Sequence, residues 1–193
     1  GETFSLDLTY GILRALDSNI SGHGAQIGLS RNFTRHSSRK GHRKHQQWQV
    51  GIGLSMQPPN STYMKSRSNV GIEPVMQESS LDFFVSEKTY LTGNAQTTIS
   101  GGVAGYAVGL LGLGHEFNLN DFLRFSIEAH VGAAGGGGVD VGKGLLGGAR
   151  IEADYILNSE NSISLGLGFL KSVDGGLNVP IVQLGYKHRF KTN

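Results

Sequence analysis

Four places in this chain carry residue types at spacings that suggest chemistry, and most of them fail on physical grounds. Gly137-x4-Gly142-Lys143-Gly144 has the opening spacing of a phosphate-cradling loop. That chemistry needs Ser or Thr after the lysine and a helix to follow, whereas glycine follows here and no helical period comes after it. The stretch reads as a loop between strands. His42 and His45 are spaced to share a metal ion, but Arg35, Arg39, Lys40, Arg43 and Lys44 surround them, and five cations oppose a divalent ion. No metal and no cofactor are expected. Ser126 and His130 fall on one face of an alternating segment, four residues and therefore roughly 13 Å apart in a strand, too far for a nucleophile to bond its base. They read as polar wall residues, no nucleophile motif is visible elsewhere, and an enzyme is not expected. The fourth place is electrostatic. The basic loop around 34–46 would attract anionic phosphates of lipid headgroups through Arg35, Arg39, Lys40, Arg43 and Lys44, or stand as a solvated loop. It lacks the interleaved aromatics that stack bases, so no nucleic acid is expected.

The elements that carry these residues are strands. Phe4, Leu6, Leu8, Tyr10 and Ile12 alternate with Thr3, Ser5, Asp7, Thr9 and Gly11; Trp48, Val50, Ile52, Leu54 and Met56 alternate with Gln49, Gly51, Gly53 and Ser55. A period of two places the first set of each segment on one sheet face. The same pattern runs through Ala25–Phe33, through Leu123–Ala133, and through three closing segments at 145–157, 163–169 and 182–190. Asn118-Leu-Asn-Asp121, Asn158-Ser-Glu-Asn161 and Asp174-Gly-Gly176 are turn signals, and turns this short make neighbouring strands antiparallel. Residues 97–117 are glycine-punctuated and change face near Leu110 and Leu111, which fits one bent strand or two short ones. Leu81, Phe83 and Val85 suggest a short strand or a loop element. Prolines 58, 59 and 74 mark a long loop near 57–80.

Composition bounds the rest. In 193 residues there are 30 glycines, four prolines and no cysteine, which favours strands and turns and excludes disulfides and cysteine-based zinc sites. No run approaches the roughly 20 apolar residues of a membrane helix, and a mean hydropathy of −0.17 suits a soluble protein and a membrane barrel equally. A net charge of +2 is too small to imply a nucleic-acid partner by itself. The chain opens Gly-Glu-Thr-Phe directly into a strand, as a processed exported protein would. A single domain over 1–193 is expected.

The closing segment Val182-Gln-Leu-Gly-Tyr-Lys-His-Arg-Phe190, alternation ending on an aromatic, resembles the last strand of bacterial outer-membrane β-barrels, with Lys191-Thr-Asn193 following the Phe as a departure. The resemblance is to a class. It implies an all-β, antiparallel transmembrane barrel in the outer membrane, in contact with the lipid bilayer and its lipopolysaccharide. About nine segments are legible. Single-chain bacterial barrels carry even numbers, so eight strands are expected, with ten if 97–117 divides.

Alternation alone leaves open which face looks inward. If the apolar face meets lipid, then Arg124, Glu128, Arg150, Glu152 and Asp154 line the lumen as a cross-strand polar network, joined by His130, Lys187 and Arg189. If it looks inward, the protein is a soluble lipocalin-like barrel around an apolar ligand. Aromatic rings favour the membrane: Phe117, Phe122, Tyr155 and Phe190 gather at one rim, and Phe33 and Trp48 bracket the basic loop, as an interfacial girdle requires. The glycines of 101–114, with Gly105 and Gly109 foremost, suggest a smooth contact between barrels of a homo-oligomer, or a strand bent at a barrel corner. The function expected is structural, lipid-interacting or assembly-related. A small-solute porin is a further alternative, although eight strands leave a lumen that side chains fill.

Overall fold

The computed structural model describes residues 3–14, 21–32, 46–58, 73–103 and 105–192, and of the first two stretches the backbone alone. Ten strands run in order: β1 (Thr3–Arg14), β2 (Ser21–Asn32), β3 (Gln46–Met56), β4 (Val75–Phe84), β5 (Thr89–Ser100), β6 (Ala107–Asn118), β7 (Leu123–Gly135), β8 (Leu145–Ile156), β9 (Asn161–Ser172) and β10 (Asn178–Thr192). Among the described residues no helix is long and apolar enough to cross a membrane, which says nothing of strands.

Residues 44–193 contain the barrel. Strands β3 to β10 each pair antiparallel with their sequence neighbours, and β10 closes on β3 from Val182 opposite Met56 to Thr192 opposite Gln46. Closure leaves no strand edge open, the condition for a sheet in lipid. Residues 1–43 make a separate unit in which β1 and β2 form an antiparallel hairpin, Thr3 facing Asn32 and Arg14 facing Ser21.

The expected count of eight is the barrel's count, but three memberships differ. The first two segments, β1 and β2, read from sequence as barrel strands, are outside the closed sheet because β3 and β10 satisfy each other's ladder directly. The stretch 97–117 divides into β5 and β6 around a turn in which Gly101, Gly102 and Gly105 all take positive φ, a conformation glycine adopts without strain. The segment at 81–85, read as a short strand or a loop element, is the end of a full strand, β4, which begins at Val75 inside the stretch assigned to the long loop.

Turn chemistry at one rim follows the sequence signals. Asn120 Oδ1 accepts from the Phe122 and Leu123 amides at 2.9 and 2.8 Å; Asn158 Oδ1 accepts from Glu160 and Asn161 at 3.0 Å each; Ser86 Oγ accepts from the Thr89 amide at 3.0 Å. Such side-chain caps make four-residue connections self-sufficient. The opposite rim carries the longer connections 101–106, 136–144 and 173–177, and there β3 ends at Met56 and β4 begins at Val75.

The barrel is apolar outside and polar inside. Val50, Ile52, Leu54, Ile127, Ile151, Leu165, Leu167 and Leu184 stand exposed on the outer wall, while Gln49, Glu78, Asp82, Glu128, Glu152 and Lys187 are buried on the inner one. Water would penalise that outer face and hydrocarbon would not. Strands of 10 to 15 residues are long enough for a tilted crossing, which takes about 9–11. Strands β3 to β10 form an eight-stranded antiparallel transmembrane β-barrel, and among the described residues most of its inward-facing wall is polar rather than the apolar wall a lipocalin-like protein needs.

Candidate functional site

The lumen is built by inward positions of β3 to β10, set by the same alternation that places aliphatic residues outside. Arg150 on β8 lies opposite Glu128 on β7. Its Nε and Nη2 reach Glu128 Oε2 at 2.9 and 2.7 Å, and its Nη1 crosses the lumen to Glu78 Oε1 at 2.6 Å and also donates to Gln183 Oε1. One guanidinium thus ties β4, β7, β8 and β10 together. Glu128 further accepts from Tyr90 Oη at 2.7 Å, and His130 Nε2 lies 3.2 Å from its Oε2. Gln96 and Asn94 both donate to Glu78.

A second layer lies nearer the short-turn rim. Arg124 Nε and Nη2 donate to Asp154 Oδ2 at 3.0 and 2.8 Å, with Glu116 Oε1 at 3.3 Å from Nε. Lys187 donates to Glu152 and has Asp154 Oδ1 at 3.7 Å. Arg189 donates to Glu116 and, through Nη2 at 2.8 Å, to Gln49 Oε1, while its guanidinium lies 4.5 Å over the Phe84 ring. Gln49 Nε2 in turn donates to Asp82 Oδ2 at 2.9 Å. Charges this buried are tolerable in pairs with hydrogen bonds; alone they would be prohibitive.

The five residues assigned from sequence to the lumen, Arg124, Glu128, Arg150, Glu152 and Asp154, all lie in these layers. Sequence reading missed their partners Glu78, Tyr90 and Glu116, and with them Asp82 and Gln96, which bond Gln49 and Glu78 in the same layers. The signal was present in β4, where Met76, Glu78, Ser80, Asp82 and Phe84 share a face, but nearby Pro74 and the small outer residues of β5 hid both strands.

Tyr90 shows how glycine serves the lumen. The hydroxyl end of its ring lies against Gly114 of the adjacent strand, and any side chain at 114 would collide with it. Smallness at 114 permits the ring to lean on the wall and its hydroxyl to reach Glu128.

Beyond His130 the lumen turns apolar. Met76, Val108, Leu110, Leu146, Leu170, Val179 and Ile181 from the strands pack with Val103, Tyr106, Val139, Val141 and Leu177 from the longer connections. This explains the change of face read near Leu110 and Leu111: Leu110 enters the inner cluster, and Leu111 stands outside at 70% exposure. The loops over the cluster are clasped by two carboxylates. Asp140 Oδ2 accepts from the Gly176 amide and Asp174 Oδ1 from the Lys143 amide, each at 3.0 Å. The phosphate-loop lookalike is therefore a strand connection whose lysine amide already faces a carboxylate, and β8 follows it. At the short-turn mouth the lumen opens into a cavity of about 450 Å³ with Glu116, Arg124 and Arg189 among its lining.

On the outer wall Phe117, Phe122, Tyr155 and Phe190 stand exposed at the short-turn rim, and Trp48 packs on Phe83 with ring centroids 4.7 Å apart. Among the described residues the exposed outer rings gather mostly at this rim, with Phe169 standing exposed near the other end of β9. Gly109 faces outward on β6, whereas Gly105 is in the 101–106 turn at φ +79°. The phosphate-binding candidates Arg35, Arg39, Lys40, Arg43 and Lys44, together with His42, His45 and Phe33, lie outside the described residues. Ser126 and His130 are both buried on the inner face of β7, with Glu128 between them. Among the described residues no three metal-ligating side chains converge.

No family model matches this chain, and no curated protein does. Solved structures with a similar fold include a de novo designed transmembrane β-barrel, at 13% identity and a TM-score of 0.49 over 76% of this chain and 95% of that one. Neisserial surface protein A matches at 11% identity and a TM-score of 0.48, over 76% and 97%. Ail, the attachment invasion locus protein of Yersinia pestis, matches at 13% identity and 0.46, over 75% and 98%. The likeness is one of architecture, and at that level the chain resembles the small transmembrane β-barrels of bacterial outer membranes.

Proposed function

We propose that this protein is a closed, non-catalytic barrel of a Gram-negative outer membrane, whose role is structural or assembly-related and is exercised at its outer surface and loops, with no solute passing through its lumen. The observation that carries this reading is the filling of the lumen: two ion-paired layers centred on Arg150 and Arg124 cross it, and an apolar cluster with Tyr106 and Leu177 caps the long-loop end. An ion moving through would have to break buried pairs and then cross an apolar section, both costly. Short turns at one rim and long connections at the other are the asymmetry of periplasmic and external ends in such barrels.

The basic segment that holds Arg35, Arg39, Lys40, Arg43 and Lys44 supports lipid interaction, since clustered guanidinium and ammonium groups attract phosphate, including that of lipopolysaccharide. Replacing all five by Ser is expected to weaken binding to vesicles containing anionic phospholipid while leaving binding to neutral vesicles unchanged.

The deciding experiment is conductance. Purified barrel inserted into a planar bilayer should give no stepwise currents in potassium chloride, and Arg150→Ala combined with Leu177→Ala should increase leak. Regular unitary steps from the unmodified protein would favour the small-solute porin and overturn the proposal.

A further inference from the structure

We propose that the cavity at the short-turn mouth of the lumen is a binding site for a short cationic peptide with a free carboxylate, held there without passing through the barrel.

Floor and rim of this cavity differ in charge. At about 450 Å³ the space falls within the roughly 300–1,000 Å³ of small-molecule sites. Beneath it lies the layer in which Arg124, Lys187 and Arg189 meet Glu116, Glu152 and Asp154, positive and negative groups in equal number, so the floor is close to neutral. The rim is not. Each short connection contributes one exposed carboxylate to the lining, Glu87 between β4 and β5, Asp121 between β6 and β7, and Glu160 between β8 and β9, and none of the three has an ion pair among the described residues. A positively charged occupant is favoured there.

An acidic rim alone would gather counterions; two buried donors give the site its specificity. Arg124 is 8% exposed and lines the cavity, and while its Nε and Nη2 are engaged by Asp154 and Glu116, its Nη1 makes no hydrogen bond among the described residues. Ser162, 4% exposed, lies inward opposite Lys187 and lines the same cavity, and its Oγ likewise has no partner among the described residues. A guanidinium N–H and a hydroxyl that the protein leaves unused call for an acceptor from outside, and a carboxylate makes the strongest such bond.

The lining also carries side-chain amides. Among the described residues Asn118 makes no side-chain hydrogen bond and Asn120 uses only its Oδ1, so both present groups that pair with the N–H and C=O of a peptide. The occupant that matches all three parts is a peptide whose carboxylate meets Arg124 Nη1 and Ser162 Oγ and whose ammonium groups stay with Glu87, Asp121 and Glu160. A bare divalent cation would satisfy the rim and leave both donors unbonded. The ion pairs of Arg124 and Arg150 close the path below, so the peptide binds in a blind pocket.

Titrating the full chain, isotope-labelled and refolded in lipid nanodiscs, with the dipeptide alanyl-lysine tests the site by nuclear magnetic resonance. Saturable shifts of the Asn120, Glu160 and Ser162 amides are expected, with the Gly176 amide at the far loops unmoved. Alanyl-lysine amide, which lacks the carboxylate, should bind about tenfold more weakly, the loss of one charge-assisted bond. Ser162→Ala should weaken dipeptide binding about fivefold, while Ser164→Ala, the next inward residue of β9, leaves it unchanged. Arg124→Lys keeps a positive charge beside Asp154, removes Nη1 and should weaken binding about tenfold. Glu87→Gln, Asp121→Asn and Glu160→Gln together should weaken it and flatten its dependence on salt. Equal affinity for the dipeptide and its amide, or a Ser162→Ala protein that binds like the natural one, would overturn the proposal. Shifts with calcium chloride and none with the dipeptide would also overturn it, reducing the mouth to a counterion site. A heat-dependent gel shift retained by each variant separates lost binding from lost fold, and the amide and Ser162→Ala arms, which break no ion pair, decide the matter if Arg124→Lys does not fold.

Discussion

Arg150 and Glu128 face each other across the β7–β8 ladder, and the guanidinium holds the carboxylate through two nitrogens while its third reaches Glu78 on the far wall. The pair is a cross-strand contact and a strut across the barrel at once. Removing Arg150 would leave Glu78 and Glu128 buried without their shared countercharge.

Arg150→Ala should therefore lower stability by about 3–5 kcal/mol, the range for breaking a buried pair by deleting one partner. Urea titration of the barrel in lipid vesicles measures it. Adding Glu128→Gln should recover part of the loss, because one of the stranded charges goes with it; strictly additive effects would mean that the two side chains are not coupled.

Tyr90 and Gly114 should behave as a matched pair. Tyr90→Phe removes one hydrogen bond to a charged acceptor and should cost about 1.5–3 kcal/mol. Gly114→Val should cost more in the natural background than beside Tyr90→Ala, where the ring that collides with it is gone. The same vesicle titration reads the four proteins of the cycle.

The outer wall should report depth. Ile151 lies midway along β8 and is 57% exposed, so Ile151→Arg should destabilise the vesicle-inserted barrel by about 2–4 kcal/mol, the midplane cost of Arg on a lipid-facing strand. Leu119→Arg, in a short turn at the rim, should cost about 0–1 kcal/mol. Equal penalties would argue that the apolar wall does not face hydrocarbon.

Residues 1–43 should be dispensable for closure, because β10 ladders onto β3 without them. A chain starting at Lys44 is expected to refold in detergent to a compact band that shifts on boiling. Failure to shift, with the full chain shifting, would show that the first two strands are needed to form the barrel.

Alternation in β3 and in β7 to β10 was enough to define strands, their antiparallel order and the polar set to which Arg124, Glu128, Arg150, Glu152 and Asp154 belong, because period two sorts residues between faces without reference to any partner. The turns at 118–121 and 158–161 were equally local, each closed by a single Asn side chain. Local signals failed where both faces carry similar residues. In β5 the outer Gly93, Ala95 and Thr97 hardly contrast with the inner Thr92, Asn94 and Gln96, and in β6 the inner Val108 and Leu110 are as apolar as the outer Leu111.

By itself, then, the sequence determined that this protein is a sheet with one apolar and one charged face. Only the tertiary structure decided that the charged face is the inside, that β3 rather than β1 meets β10, and that Arg150 bonds Glu78, 72 positions away. Those facts depend on closure, since alternation is unchanged when inside and outside are exchanged, and partners on opposite walls share no local signal.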